Sequence, residues 1–321
     1  MNTRQFVAQF QKLAIQEISL EAGKIFSGAR PKIPASAPNV LIFSPHPDDE
    51  CITGGLALRL LREAKWNIIN VALTLGSNRA RRAARRRELQ NACASLGFGL
   101  IVPGKRGLER INPESRAKNP AHWRAAAKTV AGILAEQMPR VIFLPHENDV
   151  HPTHIGVHSL VLDALKKLPR DFACFVVETE FWGQMANPNL LVEVCAKDLA
   201  DLIAALSFHA GEVKRNSYHA RLPAWMLDNV RRGTELVGGR GARAPDFTFA
   251  TIYRLQKWRD RKLKKVFSRG KFLSVKQSPA SLFGSSTFLS NELGAKSPNS
   301  NLQAPEKLQA PSSKARDVRS V

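Results

Sequence analysis

The chain has 321 residues, 44% of them hydrophobic, with a formal net charge of +21 and a sequence pI near 10.4. This length and apolar content allow a sizeable core, in one large domain or two smaller ones. The absence of an apolar run of about 18 residues argues against a membrane span, and scattered cysteines without a CxxC pair argue against a disulfide framework. The N-terminal residues also lack the apolar core and cleavage site of a secretory signal, so we expect a cytoplasmic protein.

Residues 1–37 have the pattern of an amphipathic helix followed by a Pro-rich linker, RPKIPASAP. From residue 38, short β-rich apolar runs alternate with segments of helical periodicity. The strand candidates are NVLIFSP, NIINVALTLG, GLIVPG, PRVIFLPHEND and DFACFVVETEF. This alternation predicts an α/β fold, with a mainly parallel sheet and helices on both faces.

The pattern changes again towards the C-terminus. Residues 195–237 are mostly helical, and a Gly-rich stretch followed by a strand-like segment comes next. From residue 267, Ser, Pro, Asn and Lys dominate and periodicity disappears. We therefore predict a domain of alternating strands and helices over 38–266 and a basic, disordered tail over 267–321.

Positive charge is concentrated in two segments, NRARRAARRR at 78–87 and KWRDRKLKKVFSRGK at 257–271. Such segments can bind phosphate or nucleic acid. No aromatic residue lies between the arginines of the first segment, so base stacking is not indicated there. A solvated helix face is the favoured interpretation, and polyanion binding stays as an alternative.

Chemistry-bearing residues cluster directly after the first predicted strand, in SPHPDDE. His46, Asp48, Asp49 and Glu50 lie within five consecutive positions at the expected start of a helix. A helix N-terminus stabilises carboxylates through its free N–H groups and its dipole. That explains the acidic residues but leaves the histidine without a role.

A second cluster, PHENDVHPTHIGVH, follows a later predicted strand. It contains four of the eight histidines in the chain: His146, His151, His154 and His158. Ligands of open α/β sheets bind beyond the carboxyl ends of the strands, where both clusters are expected. A catalytic zinc takes three protein ligands, commonly histidine and carboxylate, and activates water for hydrolysis. A metal site that hydrolyses an amide therefore accounts for both clusters.

HPDDE followed about a hundred residues later by HPTH resembles the PIG-L/LmbE-like zinc-dependent N-deacetylases, over roughly residues 38–215. The family removes acetyl groups from N-acetylglucosamine conjugates and has a Rossmann-like sheet. The resemblance implies Zn²⁺, or Fe²⁺ as the other candidate, held by His46, Asp49 and His154. It also implies Asp48 as general base and His151 as the histidine that stabilises or protonates the tetrahedral intermediate.

Other positions match the family less closely. Thr153 stands where the family usually has an aspartate that orients the histidine matched by His151, so we expect Thr153 to support that histidine. We also expect Glu50 to support His46 or the start of the helix, without contacting the metal itself. Arg85, in RRRELQNACASLG, and His209, in ALSFHAGE, match residues that imply substrate binding. Glu212 replaces a family glutamine.

These observations predict a de-N-acetylase acting on a small amino-sugar conjugate. The alternatives are an amidase for another acylated amino sugar or secondary metabolite, and a polyanion-binding protein. Nucleic acid is not favoured as a partner. A dinucleotide oxidoreductase is disfavoured because HPDDE, and not GxGxxG, follows the first strand.

Overall fold

The computed structural model describes residues 1–15 and 30–284. Contacts group Met1–Gly284 into one unit, and the second unit, Ser285–Val321, lies outside the described residues, as does that part of the predicted tail. The helices are α1 (Thr3–Ile15), α2 (Asp49–Ile52), α3 (Gly55–Arg62), α4 (Arg82–Leu96), α5 (Pro113–Lys118), α6 (Pro120–Gln137), α7 (Pro152–Leu165), α8 (Ala196–Leu206), α9 (Ala210–Arg215) and α10 (Tyr218–Gly238). The strands are β1 (Asn39–Ser44), β2 (Asn67–Ala72), β3 (Gly99–Ile101), β4 (Val141–Pro145), β5 (Cys174–Thr179), β6 (Leu190–Glu193), β7 (Ala250–Arg259), β8 (Lys262–Lys265) and β9 (Lys271–Leu273).

The strands form one mainly parallel sheet in the order β3-β2-β1-β4-β5-β7-β6-β9, with β8 paired to β7. The first five strands of that order are mutually parallel. β7 is antiparallel to β5, β6 and β8, and β9 is parallel to β6. The predicted α/β class with helices on both faces is confirmed.

Side chains of β1 alternate between two cores, as a strand buried on both faces requires. Val40 and Ile42 pack in the core that includes α3, α4 and α8. Leu41 and Phe43 pack in the core on the opposite face, which includes α6 and α7. Every one of these four side chains is buried, so the sheet is the central layer of the molecule.

The position of the site follows from this topology. β1 and β4 are neighbours and run in parallel. Helices α2 and α3, which follow β1, pack in one core, and α7, which follows β4, packs in the core on the opposite face. A crevice therefore opens where the chain leaves these two strands, which is where ligands bind in open α/β sheets. Both sequence clusters begin at this crevice.

The prediction of a disordered tail from residue 267 is wrong for residues 267–284. β9 joins the sheet, and a 3₁₀ helix at Pro279–Phe283 buries Leu282 and Phe283. The fully buried Arg59 donates to the carbonyls of Ser274 and Gln277, at 3.1 and 2.9 Å. The composition of this segment did not indicate its order, because only a few apolar side chains and backbone carbonyls make the contacts that hold it.

Within the described residues, no helix has both the length and the apolar content that crossing a bilayer demands.

Candidate active site

The first motif turns sharply between β1 and α2. Asp48 has φ 119° and ψ −27°, a conformation that residues with a Cβ rarely adopt. Asp49 begins α2, and its Oδ2 accepts a hydrogen bond of 2.7 Å from the N–H of His46. The turn therefore brings a histidine and a carboxylate together above the end of β1.

The second motif is arranged by the start of α7. His151 is the N-cap residue, and its Nδ1 accepts a hydrogen bond of 3.2 Å from the N–H of Thr153. Pro152 occupies the first helical position, where its missing N–H costs nothing. His154 follows in the first turn and is buried, which places both histidines at the crevice.

His46, His151 and His154 converge at the crevice. Their ring centroids lie 4.8 to 5.4 Å apart, and each offers a ligand atom within 4.8 Å of the others. Asp49 lies among them, with Oδ2 3.8 Å from His46 Nδ1 and Oδ1 3.6 Å from His154 Nε2. The three residues predicted as metal ligands are therefore close together, and His151 is beside them.

Two buried atoms of this group fit a bound metal ion. Asp49 Oδ1 and His154 Nε2 have no hydrogen-bond partner among the described residues, although buried polar atoms normally have one. Two ligands of a tetrahedral zinc, each about 2.0–2.1 Å from the ion, lie roughly 3.4 Å apart. The observed 3.6 Å separation suits such an ion with little movement.

Burial and neighbouring charges shift the ionisation of the cluster. Burial, with the nearby His154 and His151, lowers the pKa of His46 well below its usual value. Burial also lowers the pKa of His151. Burial raises the pKa of Asp49 to about 6. Burial also raises the pKa of Asp48 well above its usual range; the charge of Asp49 adds to this shift, and the charge of Arg85 opposes it. His46 and His151 are therefore neutral at pH 7, and neutral imidazole is the form that binds a metal.

Asp149, which belongs to neither HPDDE nor HPTH, supports this cluster from behind. Burial opposes a charge on His154, but Asp49 and Asp149 outweigh that effect and raise the His154 pKa. Asp149 Oδ2 lies 3.4 Å from His154 Nδ1, and Oδ1 accepts from the N–H of His151 at 2.9 Å. A carboxylate behind a ligand histidine is typical of metal sites, and its place five residues before His154 is the signal available in the sequence.

Thr153 contacts His151 through its backbone N–H, so its side chain is not what orients that ring in the described structure. Glu50 contacts the first motif through the backbone of Asp48: Glu50 Oε2 accepts from the Asp48 N–H at 3.0 Å. His209 Nε2 lies 2.7 Å from Glu50 Oε1. His209 is 0% exposed, so its predicted contact with substrate is wrong.

Arg85 lies beside the first motif. Its guanidinium donates to the carbonyl of Pro47 at 3.2 Å and lies 3.5 Å from Glu212. Gly76, with φ 83°, makes room for it, because a Cβ there would lie 2.1 Å from Arg85 Nη1. Arg215 also pairs with Glu212, at 2.6 Å. The glutamate that replaces the family's glutamine thus holds two arginines beside the crevice.

Aromatic side chains form one wall of the site. Phe181 stacks on His154 with centroids 5.4 Å apart, and Trp182 stacks on His151 at 6.5 Å. Trp182 is 44% exposed, and Tyr218 contacts both Phe181 and Trp182. A cleft of about 250 Å³, counted with space open to solvent, is lined in part by Asp49, His154 and Phe181.

The other histidines of the second cluster have structural partners. His146 Nε2 contacts the carbonyl of Gly183 at 2.9 Å, which fixes the loop that carries Trp182. His158 Nε2 lies 3.1 Å from Glu178, a carboxylate that also binds Arg254. Neither histidine joins the group formed by His46, His151 and His154.

Residues 41–165 match the family model described as PIG-L, GlcNAc-PI de-N-acetylase. A curated relative from Bacillus cereus, named probable N-acetyl-alpha-D-glucosaminyl L-malate deacetylase 2, is 25% identical over 146 residues. That alignment covers 41% of this chain and 63% of the relative. This chain therefore spans less than two thirds of the length of that relative.

Two solved structures share the fold. N,N'-diacetylchitobiose deacetylase from Pyrococcus horikoshii is 17% identical, with a TM-score of 0.51 over 79% of this chain and 93% of its own. GalB, the 4-carboxy-2-hydroxymuconate hydratase of Pseudomonas putida, is also 17% identical, with a TM-score of 0.51; the match covers 68% of this chain and 95% of GalB. A deacetylase and a hydratase on one fold show that the reaction must be argued from the site.

Proposed function

Residues 41–165 match the PIG-L family model, and on that basis we propose that the protein is a metal-dependent de-N-acetylase of an N-acetylglucosamine-type conjugate. The observation that carries the proposal is the unpartnered pair of buried atoms, Asp49 Oδ1 and His154 Nε2, at the crevice. His46, Asp49 and His154 would hold Zn²⁺ or Fe²⁺. Such an ion supplies Lewis-acid chemistry, polarising a carbonyl oxygen and making water acidic near neutral pH.

The hydrogen bond to His151 supports its assignment as a donor. Its Nδ1 accepts from the Thr153 N–H, so Nδ1 keeps its lone pair and the proton of the neutral ring is on Nε2. A protonated nitrogen has no lone pair to offer a metal. His151 Nε2–H can instead donate to the developing oxyanion of the amide or transfer its proton to the leaving nitrogen.

Asp48 is suited to accept the proton that water loses. Its side chain is buried and makes no capping hydrogen bond to the start of α2, so the helix N-terminus does not occupy its oxygens. Burial raises its pKa, which favours proton uptake in the reaction. The oxygen of water bonds to the carbonyl carbon, the C–N bond breaks, and the nitrogen leaves with a proton, giving acetate and a free amine.

The rim supports a sugar conjugate as substrate. An exposed Trp182 offers a flat apolar face of the kind that packs on a sugar ring, and Arg85 offers hydrogen-bond donors beside Asp48. The relatives named for N-acetylglucosaminyl malate and diacetylchitobiose deacetylation lead us to the same substrate class.

The first basic segment supports a structural role for its arginines. Arg79 and Arg82 pair with Glu109, and Arg81 pairs with Glu88. These side-chain ion pairs join the start of α4 to Glu109, in the loop after β3, and to Glu88, within α4 itself. Polyanion binding is therefore not part of the proposal, and a cytoplasmic location remains a prediction.

The test is acetate release by purified protein loaded with Zn²⁺ or Fe²⁺, from a panel of N-acetylglucosamine conjugates. We expect turnover of at least one conjugate, and loss of turnover with retained metal in Asp48→Ala. Loss of the metal in that variant would show that Asp48 is a ligand. Amine release from other acylated amino sugars alone would move the substrate to that class.

A further inference from the structure

Glu50 is the innermost residue of the first motif and connects two distant parts of the chain. It is 0% exposed, and its two oxygens face different partners. Oε2 accepts from the backbone N–H of Asp48 at 3.0 Å, and Oε1 lies 2.7 Å from His209 Nε2. An ionised carboxylate only accepts hydrogen bonds, so His209 is the donor. The Asp48 backbone is thus linked through one carboxylate to the turn between α8 and α9.

Asp48 needs such support because of its backbone. Its φ of 119° and ψ of −27° are disfavoured for any residue with a Cβ. Conformations of this kind persist only when the surrounding structure imposes them. The Asp48 N–H points at Glu50, which accepts its hydrogen bond. The Glu50 carboxylate is itself buried and therefore needs further hydrogen-bond donors to remain in this position.

His209 is the short-range donor that meets this need. The other contact to Glu50 Oε1 is the Cys51 thiol at 3.4 Å, a weak donor. The main chain fixes His209 itself: its N–H donates to Leu206 at 3.0 Å, and its carbonyl accepts from Glu212 at 2.9 Å. The imidazole therefore reaches Glu50 from a rigid turn.

We propose that His209, acting through Glu50, is a positioning residue that holds the backbone of Asp48 in its disfavoured conformation and so keeps the carboxylate where the base is needed. The catalytic consequence rests on the proposed function, whereas the effect on the Asp48 backbone does not. His209 is too deeply buried to contact a substrate, so its influence on the reaction passes entirely through the first motif.

The chain contains a matched control. His158 and Glu178 form another buried histidine–carboxylate pair, 3.1 Å apart, and neither contacts Asp48. His158→Phe reproduces the loss of a buried imidazole without touching the first motif. His209→Phe removes the donor and keeps a ring, whereas His209→Gln keeps an amide N–H near the position of Nε2.

The experiment combines crystal structures of the variants with kcat, KM, bound metal and melting temperature. In His209→Phe we expect Asp48 to leave positive φ and kcat to fall about 10- to 100-fold, with KM and metal content unchanged. His209→Gln should restore most of kcat, and His158→Phe should leave kcat near that of the wild type. If His209→Phe does not fold, His209→Asn, whose amide is too short to reach Glu50, takes its place.

An Asp48 φ that stays near its present value in the donor-free variants would overturn the proposal. So would an equal loss of kcat in His158→Phe, or a failure of His209→Gln to restore the rate. If the wild type releases acetate from no conjugate, the proposed function fails, and the Asp48 φ still decides the positioning role.

Discussion

Asp49 and His154 face each other at the ends of β1 and β4, with the carboxylate Oδ1 3.6 Å from the imidazole Nε2. Both atoms are buried, and neither has a hydrogen-bond partner within the part of the chain that the structure describes. Leaving two polar atoms unpaired costs roughly 1–3 kcal/mol each. A metal ion between them would remove that cost.

Replacing a ligand should therefore release the metal. We expect His154→Ala to lower bound zinc at least tenfold, because the site keeps one histidine and one carboxylate of its three proposed ligands. His158→Ala, one turn further along α7, is the matched control and should bind zinc as the wild type does. Metal content after dialysis measures both. Full zinc occupancy in His154→Ala would show that the ligand set is wrong.

Metal affinity should fall as the pH is lowered through about 6. Burial raises the pKa of Asp49 to about 6, and neighbouring carboxylates raise the pKa of His154. As the pH falls through about 6, these side chains take up protons, and an incoming metal ion must displace them. Affinity should then drop by about tenfold per pH unit for each proton released. Zinc titrations of metal-free protein at pH 5 and pH 7.5 measure the slope.

The Asp49→Asn variant serves as the control for this slope. Its amide does not titrate, so the affinity should be weaker overall and should change less steeply with pH. A wild-type affinity that stays constant between pH 5 and pH 7.5 would contradict the proposed participation of Asp49.

Trp182 should contribute to substrate binding more than to the chemical step. Removing an exposed aromatic face costs about 0.5–1.5 kcal/mol of packing, which corresponds to a KM increase of roughly 2- to 12-fold in Trp182→Ala. Trp182→Phe keeps an apolar face and should retain most of the affinity. Steady-state kinetics on the best conjugate measure this, and an unchanged KM in Trp182→Ala would remove Trp182 from the substrate site.

Residues 267–284 should be required for stability. A chain ending at residue 266 loses three buried side chains, Leu273, Leu282 and Phe283, each worth about 1.5–3 kcal/mol. It also removes two carbonyl partners of the buried Arg59. We expect it to be less stable than a chain ending at residue 284 by about 5 kcal/mol or more. Urea denaturation of the two chains measures the difference, and equal midpoints would mean that this segment adds nothing to the core.

Features that depend on neighbouring residues in the chain could be predicted from the sequence. The α/β class followed from alternating periodicity, and HPDDE and HPTH were each expected at the end of a strand. The parallel pairing of β1 with β4 then brings His46 and Asp49 to His151 and His154. The predicted ligand residues come together because parallel neighbouring strands end at the same edge of a sheet.

Tertiary contacts decided the roles of His209, Asp149 and the residues after 266. His209 resembled a substrate contact, but the packing of α8 and α9 buries it against Glu50. The segment at 267–284 resembled a tail, but Arg59 and the sheet hold it. Local sequence alone predicts which residues stand at strand ends, because periodicity and turn chemistry act over a few residues. The structure decided which of them are buried and what they face, because burial and hydrogen-bond pairing depend on residues far apart in the chain.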